Sequence, residues 1–381
     1  MRFDHVQNSV TELERRLAEL GEATRVYVRP VGLTAGTTAA GLVRDGRALA
    51  LAGGPLAATW AELWLRNGRE EARVVVEMAA LAAWAERGEG TAAGRAAVLL
   101  ERIAAPRPHG TQDPVLMGVV NVTPDSFSDG GINLDPAAAL ARCRELAAAG
   151  AGILDLGGES TRPGATPVPP GEEWSRVGPV LEGLQRIRAE MPEVSVSIDT
   201  RHAKVMRAAL AVGVDIINDI TALTGDAESL PVVASSTARV VLMHMQGTPA
   251  TMNVAPDYEN VVLDVFDFLE ARIDACAAAG IARERLIVDP GIGFGKRGRE
   301  NREILRNLTI FHGLGCPILV GLSRKGLGVS QQSIPPQARE PTSHAAAMHA
   351  LSSGVQMLRV HDVAGARQVV ELWRRMVHTE S

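Results

Sequence analysis

Four polar residues follow short apolar runs in the second half of this 381-residue chain: Asp199, Asn218, Asp289 and Lys325. Two carboxylates, an amide and an ammonium can together match both the donors and the acceptors on the edge of a flat heterocycle. A second group comprises Asn121, Arg359 and His361. An arginine and a histidine beside strand-end backbone N–H groups suit a phosphate or diphosphate. Each aspartate taken alone could cap the helix that follows it. Arg359-Val360-His361-Asp362 taken alone could be a surface ion-pair cluster.

The elements that must position these residues form a regular series from Val115 onward. Apolar runs at Val115–Val120, Ile153–Leu156, Val194–Ile198, Ile216–Ile217, Val240–Met243, Leu286–Val288, Ile318–Val320 and Met357–Val360 read as strands buried on both faces. A helical pattern follows each one: Pro136–Ala149, Glu172–Glu190, Ala203–Val212, Ala227–Ala234, Tyr258–Ala279, Arg299–His312, Ser343–Ser353 and Ala364–Val377. Eight strand-then-helix units of this length predict an α/β fold, a (β/α)8 TIM barrel, with a doubly wound sheet as the alternative. In a barrel, every strand end would deliver its polar residues to one face, where barrel active sites lie. The segments after the first two strands, Thr123–Asp135 and Gly157–Gly171, are longer than ordinary connections and suit closing lids.

Residues 1–110 differ in character and carry no catalytic constellation. A helix ending at Leu20, strands at Arg25–Val28 and Ala48–Ala50, and helices at Ala57–Leu65 and Arg73–Ala85 are expected there. The Pro- and Gly-rich stretch Ala105–Asp113 reads as a linker. The expected division is an accessory α/β extension over 1–110 and a catalytic barrel over 111–381. A net charge of −5 without a basic run argues against nucleic-acid binding. No apolar run approaches membrane-spanning length. Cys143, Cys276 and Cys316 are far apart and read as reduced, buried thiols of a cytoplasmic protein.

Read as motifs, these stretches resemble the signatures of the dihydropteroate synthase family. They are MGVVNVTPDSFSDGG at 117–131, GGESTRPGA at 157–165, SIDT at 197–200, IINDI at 216–220, MHMQG at 243–247, DPGIGFGK at 289–296, GLSRKG at 321–326 and LRVHDV at 358–363. The resemblance implies a TIM barrel that joins a pterin-methyl diphosphate to p-aminobenzoate in folate synthesis, with Mg2+ as cofactor and a homodimeric state. It implies that Asp199, Asn218, Met245, Asp289 and Lys325 hold the pterin. Asn121, Arg359 and His361 would hold the diphosphate, with Asn121 also at the magnesium. Thr161, Arg162, Pro163, Phe294 and Lys325 would shape the p-aminobenzoate site. Phe127 and Asp129 would lie on the closing first loop, with Asp129 pairing with Arg162. Asp199, Asp289, Lys325, Asp129 and Arg162 are the implied catalytic set.

One departure is Gly326, where the family commonly has serine; a hydroxyl near the p-aminobenzoate carboxylate is thereby lost. The N-terminus of a helix near Gly326 would still offer backbone N–H groups to that carboxylate. A corrinoid-type pterin methyltransferase and a non-catalytic pterin-binding paralogue are the competing readings. The first does not need the TPDSFSDGG and STRPGA segments, and the second could have lost them, yet both are present.

Overall fold

The computed structural model describes residues 10–88, 90–108, 110, 113–123, 135–160, 166–252, 254, 256–327 and 334–378. The first hundred residues run α1 (Val10–Leu20), β1 (Arg25–Ala35), α2 (Gly36–Arg44), β2 (Leu49–Ala50), β3 (Leu56–Asn67), β4 (Glu70–Glu77), α3 (Met78–Arg87) and α4 (Thr91–Ala104). Then follow β5 (Val115–Asn121), α5 (Pro136–Ala148), β6 (Ile153–Gly157), α6 (Pro170–Arg186), β7 (Ser195–Asp199), α7 (Ala203–Val212), β8 (Ile216–Asp219) and α8 (Ser229–Ala234). The last units are β9 (Arg239–Met243), α9 (Val261–Ala278), β10 (Leu286–Asp289), α10 (Gly298–Arg306), β11 (Leu319–Gly321), α11 (Glu340–Ser352), β12 (Met357–Val360) and α12 (Val363–Val377).

Strands β5 to β12 form one parallel eight-stranded sheet in the order β10-β9-β8-β7-β6-β5-β12-β11. A parallel bridge from Val288 to Ile318 joins its two ends, so the sheet closes into the expected TIM barrel. Met117, Ile153, Ile216, Val241, Ile287, Leu319 and Met357 form a separate apolar cluster inside it. That plug fills the barrel and leaves the strand ends above it for polar groups. Several expected helices shorten: the one from Arg299 ends at Arg306 and gives way to a 3-10 turn at Leu308–Leu314, the one through Glu190 ends at Arg186, the one from Tyr258 starts at Val261, and the one from Ala227 starts at Ser229.

The extension corrects two expectations. Ala57–Leu65 is not a helix but most of β3, and Arg73–Glu77 belongs to β4, with the helix starting only at Met78. Alanine- and leucine-rich composition favours helix. Non-local pairing overrides it, because β3 is paired antiparallel with β1 along one edge and with β2 and β4 along the other.

One apolar core is continuous across both parts, running from Val26, Leu63 and Leu99 to Phe266 and Phe311. Around it, polar groups of the extension meet α9. Tyr27 donates to Asp267, and Glu270 faces Arg25, Arg95 and Arg102. Within the expected linker, Arg107 is buried and donates to the carbonyls of Ala105, Arg102 and His312. Cys143, Cys276 and Cys316 are free and buried.

Burial alone would raise the pKa of Glu270, but Arg95, Arg25 and Arg102 outweigh it and hold the group below its ordinary 4.5. Removing one member of a buried ion cluster leaves uncompensated charge. Glu270→Ala should cost about 3 kcal/mol, the low end of that effect, since Arg25 keeps 39% of its side chain exposed. Urea unfolding checks this. The wild-type advantage should be complete above the unfolded carboxylate range and fade as pH falls through the lowered folded value.

Candidate active site

Parallel register sets the site in a row. Asn121 pairs with Gly157, Gly157 with Asp199, and Asp199 with Asn218, so the ends of β5 to β8 reach one level. One level deeper, Asp155 of β6 lies opposite Ser197 of β7 and is fully buried. Its carboxylate accepts from Ser197 Oγ at 2.6 Å, Asn218 Nδ2 at 3.0 Å and Arg359 Nε at 2.7 Å. The same guanidinium donates through Nη2 to Asp199 Oδ2 at 2.7 Å. One arginine thus bridges two carboxylates at the barrel mouth.

The electrostatics follow from that count. Burial pushes Asp199 up to about 7; Arg359 opposes this and the nearby Asp155 adds to it. Burial raises Asp289 too, with Lys325 opposing. Lys325 is pushed down to about 8 by burial, against the pull of Asp289 and with the repulsion of Arg359. Burial works against the charge of Arg359, yet Asp155 and Asp199 raise its pKa further.

The loop after β10 is built on glycines. Gly291, Gly293 and Gly295 have φ of +69°, +85° and +60°, and a Cβ at Gly291 would lie 1.9 Å from the carbonyl oxygen of His244. Only glycine allows this approach. Asp289 accepts from the Gly291 N–H at 2.7 Å, and Lys325 donates to the Ile292 carbonyl while its Nζ lies 4.7 Å from the centre of the Phe294 ring. Arg324, at a φ of +62°, makes the tight turn before Lys325; its N–H donates to Ser343 Oγ and its side chain pairs with Glu340. Beneath the loop, buried Lys296 reaches His244 Nδ1 at 2.9 Å and the carbonyls of Gly291 and Phe294, each at 2.9 Å. Burial brings Lys296 down to about 7.

The sequence-derived residues are thus partly united. Asp199, Asn218 and Arg359 share one bonded network, and Asp289, Lys325 and Phe294 gather around the glycine loop, with Lys325 coupled by charge to Asp289 and Arg359. Asn121 is half-buried at the same level, Met245 follows β9, and His361 contacts Ser323 Oγ through Nδ1 at 3.0 Å. Arg359 turns toward the carboxylates rather than toward His361. Phe127, Asp129, Thr161, Arg162 and Pro163 lie outside the described residues. Gly326 is exposed in irregular backbone, and the next described helical turn begins at Pro336, so no helix starts at Gly326 among the described residues. Sequence reasoning missed Asp155 and Lys296. A lone aspartate inside the apolar run Ile153–Gly157 was the available signal for Asp155.

A half-buried amide oxygen at Asn121 is a hard donor of the kind Mg2+ accepts, and Mg2+ commonly uses one or two protein ligands beside substrate phosphates. The site residues fit the ion in that role.

The family model for pterin-binding enzymes matches residues 117–361. Dihydropteroate synthase of Haemophilus influenzae is 43% identical over 261 residues, covering 68% of this chain and 93% of that protein. The chain belongs to the dihydropteroate synthase family. It is a transferase of folate biosynthesis, as its motifs imply. The Escherichia coli synthase is also 43% identical, over 68% of this chain and 90% of its own. Among solved structures, the Xanthomonas albilineans synthase with 4-aminobenzoic acid is 46% identical, with a TM-score of 0.64 over 69% of this chain and 93% of that one. The Burkholderia cenocepacia synthase complexed with 7,8-dihydropteroate is 42% identical, with a TM-score of 0.62 over 69% and 91%.

The raised Asp199 and lowered Lys325 set a testable pH profile. As pH falls through about 7 Asp199 takes up a proton, and as pH rises through about 8 Lys325 loses one. kcat/KM for the pterin substrate should be bell-shaped with limbs near those values, measured by steady-state assay across pH. Asp199→Asn should remove the acid limb alone.

Proposed function

We propose that this chain condenses 6-hydroxymethyl-7,8-dihydropterin diphosphate with p-aminobenzoate, giving 7,8-dihydropteroate and diphosphate. The observation that carries the reading is the pair of buried carboxylates, Asp199 and Asp289, facing the cations Arg359 and Lys325 at the mouth of the barrel. Asp199, Asn218, Asp289 and Lys325 hold the pterin edge by hydrogen bonds, with Met245 against the ring. The C–O bond to diphosphate breaks as positive charge develops on the pterin methylene. Asp199 and Asp289 stabilise that charge. Arg359, His361 and Asn121 receive the leaving diphosphate, so Arg359 must release part of its hold on the aspartates when substrate enters. Mg2+, held with Asn121, would neutralise charge on the leaving group. The amine nitrogen of p-aminobenzoate then attacks the methylene and loses a proton. Phe294 borders its site beside Lys325; Thr161, Arg162, Pro163 and Asp129, which the family motifs also assign to it, lie outside the described residues.

The free thiols of three buried cysteines support a cytoplasmic setting. The exposed Leu372 and Met376, one turn apart on α12, support a homodimer. Among the described residues, no helix is long and apolar enough to cross a membrane.

The test is diphosphate release from the pterin diphosphate with and without p-aminobenzoate and Mg2+. Release that requires both substrates supports the synthase; pterin binding without turnover would point to a non-catalytic paralogue. In the same assay Asp199→Asn should lower the rate more than pterin affinity, because an amide keeps one acceptor oxygen but loses the charge that matters in the transition state. A capping aspartate would tolerate asparagine with both quantities near wild type.

A further inference from the structure

The family match begins at residue 117, so β1 to β4 and α1 to α4 lie outside it. The geometry points to a role for them: we propose that the β3–β4 hairpin fixes the start of α9 and, through it, the pterin side of the active site. The proposal rests on the synthase reading for the identity of the ligand.

The start of α9 lies on the same face as the strand ends, because it follows β9. Its cap is reciprocal. Asn260 Oδ1 accepts from the N–H groups of Val262 and Leu263, while the Asn260 N–H donates back to Asp264 Oδ2 at 3.2 Å. This satisfies donors that a helix start otherwise leaves unpaired. Each half of the cap is held from the extension. Glu71 accepts from Asn260 Nδ2 at 2.8 and 3.1 Å. Arg66 donates through Nη1 to Asp264 Oδ1 at 2.7 Å and also binds Asp267. Arg66 and Glu71 are direct cross-strand partners on β3 and β4, so one hairpin presents both groups in a fixed relation.

From the cap the path into the site is short. Tyr258, two residues before Asn260, donates its hydroxyl to the carbonyl of Gly295 at 2.6 Å. Gly295 belongs to the glycine loop that holds Lys325 through the Ile292 carbonyl and carries Phe294. Gln246, just past Met245, exchanges two hydrogen bonds with the backbone of Asp257 at 2.7 and 2.8 Å. The segment before α9 is therefore tied both to the glycine loop and to the residue after Met245. Arg66 and Glu71 are positioning residues; neither touches the strand-end row.

The test uses the full-length chain, with calorimetry for the dihydropterin diphosphate and steady-state assay for both substrates. Glu71→Ala should weaken pterin diphosphate binding and raise its KM by roughly 3- to 30-fold. The KM for p-aminobenzoate should rise in the same direction, because Phe294 of the glycine loop borders the proposed site of that substrate. Glu71→Gln keeps an acceptor for Asn260 and should restore most of the loss. Arg69→Ala breaks only the exposed pair with Glu259 on the same turn and should leave pterin binding unchanged. Tyr258→Phe removes one hydroxyl and should act in the same direction as Glu71→Ala; if the path is shared, the double variant should be less than additive.

A lowered melting temperature with unchanged pterin affinity in Glu71→Ala would overturn the proposal, as would strict additivity with Tyr258→Phe. Should Glu71→Ala not fold, unchanged pterin affinity in Tyr258→Phe decides against it equally. A wild-type chain that binds the pterin but does not turn over would sink the synthase reading and leave this test by affinity standing.

Discussion

Everything at the barrel mouth depends on the buried Asp155 carboxylate. A fully buried charge is tolerable only when its lone pairs are met and its charge is answered. Ser197, Asn218 and Arg359 do both. That requirement pins Arg359 from β12 past β5 to β6, and its second arm then fixes Asp199. The arrangement is strained in charge, since two carboxylates share one guanidinium. Under the proposed function, N–H donors of the ligand at Asp199 and its phosphate oxygens at Arg359 would relieve that imbalance.

A second constraint is the glycine loop. Three residues with positive φ let the chain run against the carbonyls of His244 and Gln246. Lys296 closes the loop from below by reaching its carbonyls with an ammonium. Burial and the adjacent Lys296 hold His244 well below its usual pKa, which suits its Nδ1 to accept from that lysine. Packing of His244 against Phe268 and Tyr258 couples this buried polar cluster to α9 and the segment before it. The loop that presents Phe294 and meets Lys325 is therefore held by buried hydrogen bonds from Lys296 as well as by its backbone geometry.

The barrel was legible in the sequence because parallel strands buried on both faces must be apolar, and because each is followed by an amphipathic helix. Eight such units, each ending in polar residues, point in the sequence to Asp199, Asn218, Asp289, Lys325, Asn121 and Arg359. The glycine loop appeared in the sequence only as the motif DPGIGFGK; its positive φ values belong to the structure. Whether a strand-end aspartate caps a helix or faces a ligand was open in the sequence. In the structure the Asp199 carboxylate accepts from Arg359 across the barrel mouth.

What only the tertiary structure decided were relations between distant residues. β3 composes like a helix and is a strand because β1, β2 and β4 pair with it. Asp155 is an anomaly inside an apolar run until Arg359, 204 positions later, arrives beside it. Arg66 and Glu71 are two ordinary charges on a hairpin until α9 presents Asn260 and Asp264 to them. Short-range periodicity encodes the buried strands and the helices of the barrel, where the local pattern and the non-local pairing agree. The pairing of charges across a closed barrel is set by register and packing, which no local pattern contains.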